Sequence, residues 1–86
     1  MGRETRGQQL ARLRQQVRER DGPWCYYCGR LMPDGATLDH LVERSSGGRY
    51  VLSNVVLAHQ RCNENVRGLT IEEKRHHNAL LRIAYA

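Results

Sequence analysis

What the sequence lacks narrows its reading first. In a chain of 86 residues, no apolar run approaches the roughly 18 residues that a membrane span needs, so no transmembrane helix is expected. The N-terminal stretch is charged and Gln-rich without an apolar h-region, which leads us to expect no signal peptide and a cytoplasmic, reducing location. Lysine is nearly absent: Lys74 stands alone against thirteen arginines. That bias suits bidentate phosphate contacts, and a GC-rich genome would equally produce it. There is no internal repeat and no low-complexity tract. The cysteines number three, so they cannot all pair as disulfides and read instead as metal ligands or free thiols. So short a chain excludes a multidomain machine and any large buried core. Small domains of this size usually need a staple, such as a structural metal.

What is present is positive charge, unevenly spread. The formal net charge is +5 and the pI about 9.6, which points to a polyanionic partner, nucleic acid before an anionic membrane surface. Residues 1–20 carry six Arg and two Glu, whereas residues 21–86 carry eight basic and seven acidic side chains. Electrostatic steering therefore comes mainly from the N-terminal arm. There Leu10, Leu13 and Val17 recur at helical spacing. Arg12, Arg14, Arg18 and Arg20 occupy the remaining faces, so residues 8–20 read as a basic amphipathic helix ended by Asp21-Gly22-Pro23.

After that stop comes Trp24-Cys25-Tyr26-Tyr27-Cys28-Gly29, a knuckle in which two thiolates can converge on one metal and glycine relieves the turn. Pro33-Asp34-Gly35 reads as a turn and residues 36–42 as a short strand. Residues 43–50 are too rich in Gly and Ser for regular structure. Residues 51–58 allow a strand, or a strand preceded by a helical turn. Residues 60–67 read as helical, and Thr70-x-x-Glu73 has the form of a capping box opening a last helix that runs to about Ala84. His59-x2-Cys62 repeats the spacing of Cys25-x2-Cys28 with thirty residues between the pairs, so Cys25, Cys28, His59 and Cys62 can close a four-coordinate Cys3His zinc site. Such closed sites are structural, because no position is left for water or substrate.

A second group lies outside the zinc ligands: Asp39, His40, Asn54 and Asn63. Taken alone, Asp39-His40 reads rather as a turn-capping aspartate beside a hydrogen-bonded strand histidine. The surrounding sequence changes that. Arg20-Asp21-Gly22 before Cys-x2-Cys-Gly is followed by Leu38-Asp39-His40, Ser45-Ser46-Gly47-Gly48 and Leu52-Ser53-Asn54-Val55-Val56-Leu57. His59-x2-Cys62-Asn63 and Arg67-Gly68 complete the set. Over residues 20–68, with the spacing H-x13-N-x8-N, the chain resembles the HNH endonucleases, a ββα-metal (His-Me finger) family. His59 stands where Cys is commoner, and Asn63 where His is commoner. Asn63 shifts the expected active-site metal toward oxygen-preferring Mg2+ or Mn2+.

The resemblance implies a small α+β, ββα-metal fold stapled by Zn2+. It implies a single nuclease domain over 1–86, with a basic helix (1–20), a zinc-stapled core (21–68) and a C-terminal helix (69–86). DNA would be hydrolysed to 5′-phosphate and 3′-hydroxyl ends. His40 would be the general base, since a neutral imidazole is available at pH 7. Asp39 and Asn63 would hold one Mg2+ or Mn2+, and the Asn54 amide would tie down the loop that orients His40. Adjacent strand residues point to opposite faces, so Asp39 and His40 can share one phosphate only if the strand ends, twists or bulges there. Arg12, Arg14 and Arg18, with Arg44, Arg49, Arg61 and Arg67, are the candidate phosphate contacts. Binding to DNA should be salt-sensitive, with little base preference. Trp24, Tyr26 and Tyr27 are expected to pack around the knuckle, and His76 and His77 to lie on a solvated face. Two other readings remain: a non-catalytic zinc-stabilised nucleic-acid-binding module, and a nuclease that acts only with a partner. Oligomeric state is left open.

Overall fold

The computed structural model describes residues 2–32 and 36–84, the last six of these by backbone only. The expected turn at Pro33-Asp34-Gly35 lies outside the described residues.

The first helix, α1 (Arg6–Asp21), starts two residues earlier than its apolar spacing indicates. The reason is a capping box. Thr5 Oγ1 accepts from the Gln8 amide at 3.1 Å and Gln8 Oε1 accepts from the Thr5 amide at 2.8 Å, satisfying two amides that would otherwise lack partners. Leu13 and Val17 are the buried residues of the helix. The Gly22 amide closes it by donating to the Arg18 carbonyl at 2.7 Å.

A two-stranded antiparallel sheet forms the centre, from β1 (Thr37–His40) and β2 (Val55–Ala58). Thr37 pairs with Ala58 and His40 with Val55 in unbroken register, so no bulge intervenes and the strand ends at His40. Every residue of β2 is buried, which means that both faces of this strand are covered rather than one. α1 packs on β2. Its Leu13 and Val17 join Tyr27, Met32, Leu38, Val55, Leu57 and Val66 in one core, each side chain contributing roughly 1.5–3 kcal/mol of burial. Arg20 fastens the end of α1 to the sheet, donating to the carbonyls of Leu52 at 2.6 Å and Val55 at 2.8 Å while its fork holds Asp21.

A 3-10 turn (Leu52–Asn54) precedes β2, the second of the alternatives the sequence allows. The loop before it is less irregular than its composition suggests. Residues Arg44–Ser46 form another 3-10 turn, and Gly48 lies so close to the preceding backbone that a Cβ there would sit 1.6 Å from the Val42 carbonyl oxygen. A short helix α2 (Gln60–Asn65) follows β2, and α3 (Ile71–Ala84) ends the described chain. Thr70 and Glu73 make the expected reciprocal capping contacts, both at 3.1 Å. The result is a small α+β fold consistent with a ββα-metal finger.

Two aromatic expectations need correcting. Tyr27 is buried and Tyr26 packs against the core, but Trp24 is 53% exposed. Its backbone is committed to a bridge with Leu31, which leaves the indole at the edge of the hairpin. His77 is half-buried rather than solvated, its ring 6.1 Å from that of Tyr27. α3 lies across the knuckle, with Asn78 Nδ2 donating to the Tyr26 carbonyl. That contact turns this stretch of the helix inward, while His76 remains exposed.

Candidate metal centre and active site

The hairpin from Trp24 to Leu31 builds the first half of the metal centre. The Gly29 amide donates to the Cys25 carbonyl at 2.9 Å, the Cys25 amide to the Arg30 carbonyl at 2.9 Å, and the Cys28 amide reaches Cys25 Sγ at 3.5 Å. Gly29 turns the chain at φ +72°, a left-handed conformation that a side chain would strain. The end of β2 delivers His59, and the first turn of α2 brings Cys62 round beside it. The ligand atoms of Cys25, Cys28, His59 and Cys62 all lie within 4.8 Å of one another. His59 Nδ1 is 3.3 Å from Cys28 Sγ and 3.8 Å from Cys62 Sγ. A tetrahedral zinc with bonds of about 2.0–2.3 Å has edges of roughly 3.3–3.8 Å, so the widest pair needs only to draw in. His59 Nε2 faces the Leu31 carbonyl at 3.3 Å. With Nε2–H donating to that carbonyl, Nδ1 is left free for a metal.

Electrostatics point the same way. Burial works to raise the Cys25 thiol, but the amides of Cys28, His59 and Tyr27 outweigh it and bring it down to about 7. Burial, together with neighbouring Cys25 and Cys28, pushes Cys62 up to about 12. Sulfurs this close resist ionising together unless a cation sits among them. The donor set and its geometry therefore fit a zinc ion.

On the sheet, Asp39 and His40 have different side-chain partners. The Asp39 carboxylate is 6% exposed; its Oδ2 accepts from the Tyr27 hydroxyl and lies 3.9 Å from Lys74 Nζ. Burial raises the Asp39 carboxyl, opposed by the Tyr27 hydrogen bond and the Lys74 charge. The same burial and the Asp39 carboxylate push the Tyr27 hydroxyl far up, so it stays protonated and donates. His40, 8% exposed, packs its ring edge-to-face against Tyr50 with centroids 4.0 Å apart. Its Nε2 is buried and has no hydrogen-bond partner among the described residues. Burial lowers the imidazole pKa, Arg44 and Lys74 add to that, and Asp39 opposes it.

Asn54 spans the loop behind His40. Its Oδ1 accepts from the Val42 amide at 2.9 Å, and its Nδ2 donates to the carbonyls of Val42 at 3.1 Å and Arg49 at 3.0 Å. Its own carbonyl accepts from the Leu41 amide at 2.9 Å. Asn63 is half-buried in α2, the helix that packs on β1.

The arginines divide. Arg44 lies 5.8 Å from the Tyr50 ring centroid. Arg14, Arg49, Arg61 and Arg67 are exposed and Arg18 half-buried, while Arg12 is paired with Glu4 at 2.6 Å. A cleft of about 600 Å3 runs between the end of α1, the knuckle and α3. It is not lined by Asp39, His40 or Asn63, so volume is a poor guide to the chemistry here.

Two residues at the site escape sequence reasoning, Tyr27 and Lys74. Lys74 is 1% exposed and donates to the His40 carbonyl at 2.6 Å. The only available signal was its singularity, one lysine in a chain of arginines. Tyr27 reads as a knuckle aromatic, and nothing in the sequence links its hydroxyl to Asp39.

No helix among the described residues is long and apolar enough to cross a membrane. Among curated proteins, none matches the chain significantly. Residues 25–67, half of the chain, match the HNH endonuclease family. That segment runs from the first cysteine of the metal centre through β1, β2 and α2, and contains Asp39, His40, Asn54 and Asn63. By this match, with the Cys3His group and paired strands it encloses, the chain belongs to the HNH endonuclease family.

Proposed function

We propose that the whole chain acts as one nuclease domain that hydrolyses phosphodiester bonds in DNA, with a zinc ion on Cys25, Cys28, His59 and Cys62 as its structural staple. The observation that carries the reading is the buried His40 Nε2, which no group among the described residues satisfies. A buried ring nitrogen without a partner is costly, which supports a role completed on substrate binding, when a water brought within reach of Nε2 would give up its proton to it. The lowered pKa of this imidazole favours its neutral, basic form at pH 7. Asn54, through its bonds to Val42 and Arg49, holds the loop that follows His40 and so fixes the direction from which the ring approaches.

Asp39 and Asn63 would hold a divalent cation. One carboxylate oxygen and one amide oxygen are hard donors, suited to Mg2+ or Mn2+. Asp39 Oδ2 is engaged by Tyr27, which leaves Oδ1 to ligate. Such an ion supplies Lewis acidity at the scissile phosphate and stabilises the departing 3′ oxygen. The exposed arginines of α1, with Arg44, Arg49, Arg61 and Arg67, would grip the backbone.

The non-catalytic zinc module draws support from one observation: the Asp39 carboxylate already has Tyr27 and Lys74 beside it. Titrating Mg2+ or Mn2+ into zinc-loaded protein separates the two readings, since only the nuclease predicts heat that depends on Asp39 and Asn63. The decisive test is plasmid nicking in Mg2+. Wild type should nick and His40→Ala should not. Equal rates in both, with the His40→Ala fold intact by circular dichroism, would sink the mechanism.

A further inference from the structure

Tyr50 touches both the candidate catalytic strand and the basic helix. It is 37% exposed, its ring packs against His40, and the guanidiniums of Arg6 and Arg44 lie 5.6 and 5.8 Å from its centroid. Between Tyr50 and α1 runs a groove of about 210 Å3. Arg6, Gln9, Leu10, Arg12, Leu13 and Gln16 of α1 line it together with Tyr50. The groove is smaller than the roughly 300–1,000 Å3 of clefts that enclose a drug-sized ligand. It suits one planar group with an anion beside it. Arg12 is held by Glu4 at 2.6 Å, so a phosphate bound there would take the place of that carboxylate on Arg12. Two guanidiniums, two amides and a half-exposed aromatic ring are the elements that bind single-stranded nucleic acid: cations for the backbone and a π-surface for a base. A paired base in a duplex has both faces occupied by its neighbours and cannot stack here; an unpaired one can.

We propose that this groove is a subsite for an unpaired nucleotide of the scissile DNA strand, its base against Tyr50 and its phosphate on Arg6 and Arg12. The occupant displaces the Arg6 guanidinium from the ring face and sets the adjoining phosphate beside His40. The inference rests on the nuclease reading for the identity of the ligand and for the role of His40, and goes beyond it in assigning a strand preference. Arg6 and the rest of α1 lie outside the segment that matches the HNH family, whereas Tyr50 lies within it, so the helical wall of the subsite is what this chain adds to the shared segment.

The test is binding, measured without Mg2+ so that it is independent of cleavage. Full-length zinc-loaded protein is titrated into a labelled oligothymidylate and into a duplex of the same length, with fluorescence anisotropy as the readout. The single strand should bind more tightly than the duplex. Tyr50→Ala should weaken single-strand binding by roughly tenfold or more and Tyr50→Phe by little, because the ring and not the hydroxyl does the stacking. Arg6→Ala, an exposed change, should lower the slope of log K against log salt by about 0.7. Arg75→Ala, away from the groove, should leave the preference unchanged. Wild-type affinity in folded Tyr50→Ala and Arg6→Ala, or a preference for the duplex, overturns the proposal. If those variants bind like wild type while wild type still nicks through His40, the subsite falls and the nuclease stands. If they lose binding while wild type nicks in no metal, the subsite stands and the nuclease falls.

Discussion

Lys74 Nζ, on α3, donates a 2.6 Å hydrogen bond to the carbonyl oxygen of His40, the last residue of β1, and stands 3.9 Å from the Asp39 carboxylate. One side chain from beyond the family match thus touches both neighbours of the candidate catalytic strand. Lys74→Met keeps the length but removes the donor, leaving a carbonyl unsatisfied and Asp39 without its neighbouring cation. We expect a loss of about 1–3 kcal/mol in stability, read as a lower urea midpoint with unchanged slope. Nicking should fall at temperatures where the variant is still folded. An unchanged midpoint would show that this contact is not formed in solution.

Asn54 makes three side-chain hydrogen bonds across the loop that follows His40. Asn54→Ala deletes all three at a cost of roughly 2–3 kcal/mol. Asn54→Asp keeps an acceptor for the Val42 amide but loses both donations and should fall between. The order wild type, Asp, Ala in denaturant midpoint is the measurement.

Gly48 and its neighbour Gly47 separate two reasons for glycine. Gly47 sits at φ +90° with open space around its Cβ position, whereas a Cβ on Gly48 would meet the Val42 carbonyl oxygen at 1.6 Å. Gly47→Ala should cost about 1–2 kcal/mol from the left-handed conformation alone. Gly48→Ala should cost more, because the backbone must move. Thermal unfolding of the two variants decides it; an equal shift would mean that the loop relaxes freely.

Zinc removal tests the staple. Elemental analysis should find one zinc per chain, and a chelator should abolish the far-UV circular dichroism of the helices, since binding worth on the order of 10 kcal/mol or more is folding free energy. His59→Cys should retain zinc, because thiolate replaces imidazole readily. Cys62→Ala should not hold it. A chelated protein with its native spectrum would remove zinc from the folding account.

The sequence by itself determined the parts that rest on local chemistry. The ligand pairs at two-residue spacing, the Thr70 cap, the apolar face of α1 and the order of motifs between residues 20 and 68 are all set by what neighbours along the chain can do, and the structure places them as their spacing requires. The Thr5 cap is local too, since Thr5-x-x-Gln8 has the form of a capping box. What only the tertiary structure decided were partnerships over long sequence separation. Nothing in residues 24–28 says that the Tyr27 hydroxyl meets Asp39, and nothing in α3 says that Lys74 turns inward while His76 stays in water. Burial creates those pairs: once β2 is covered on both faces, each polar group beside the sheet must find a partner within reach, and which one it finds depends on how α1 and α3 close over it. His40 Nε2 is the buried side-chain atom, among the described residues, for which no such partner was found.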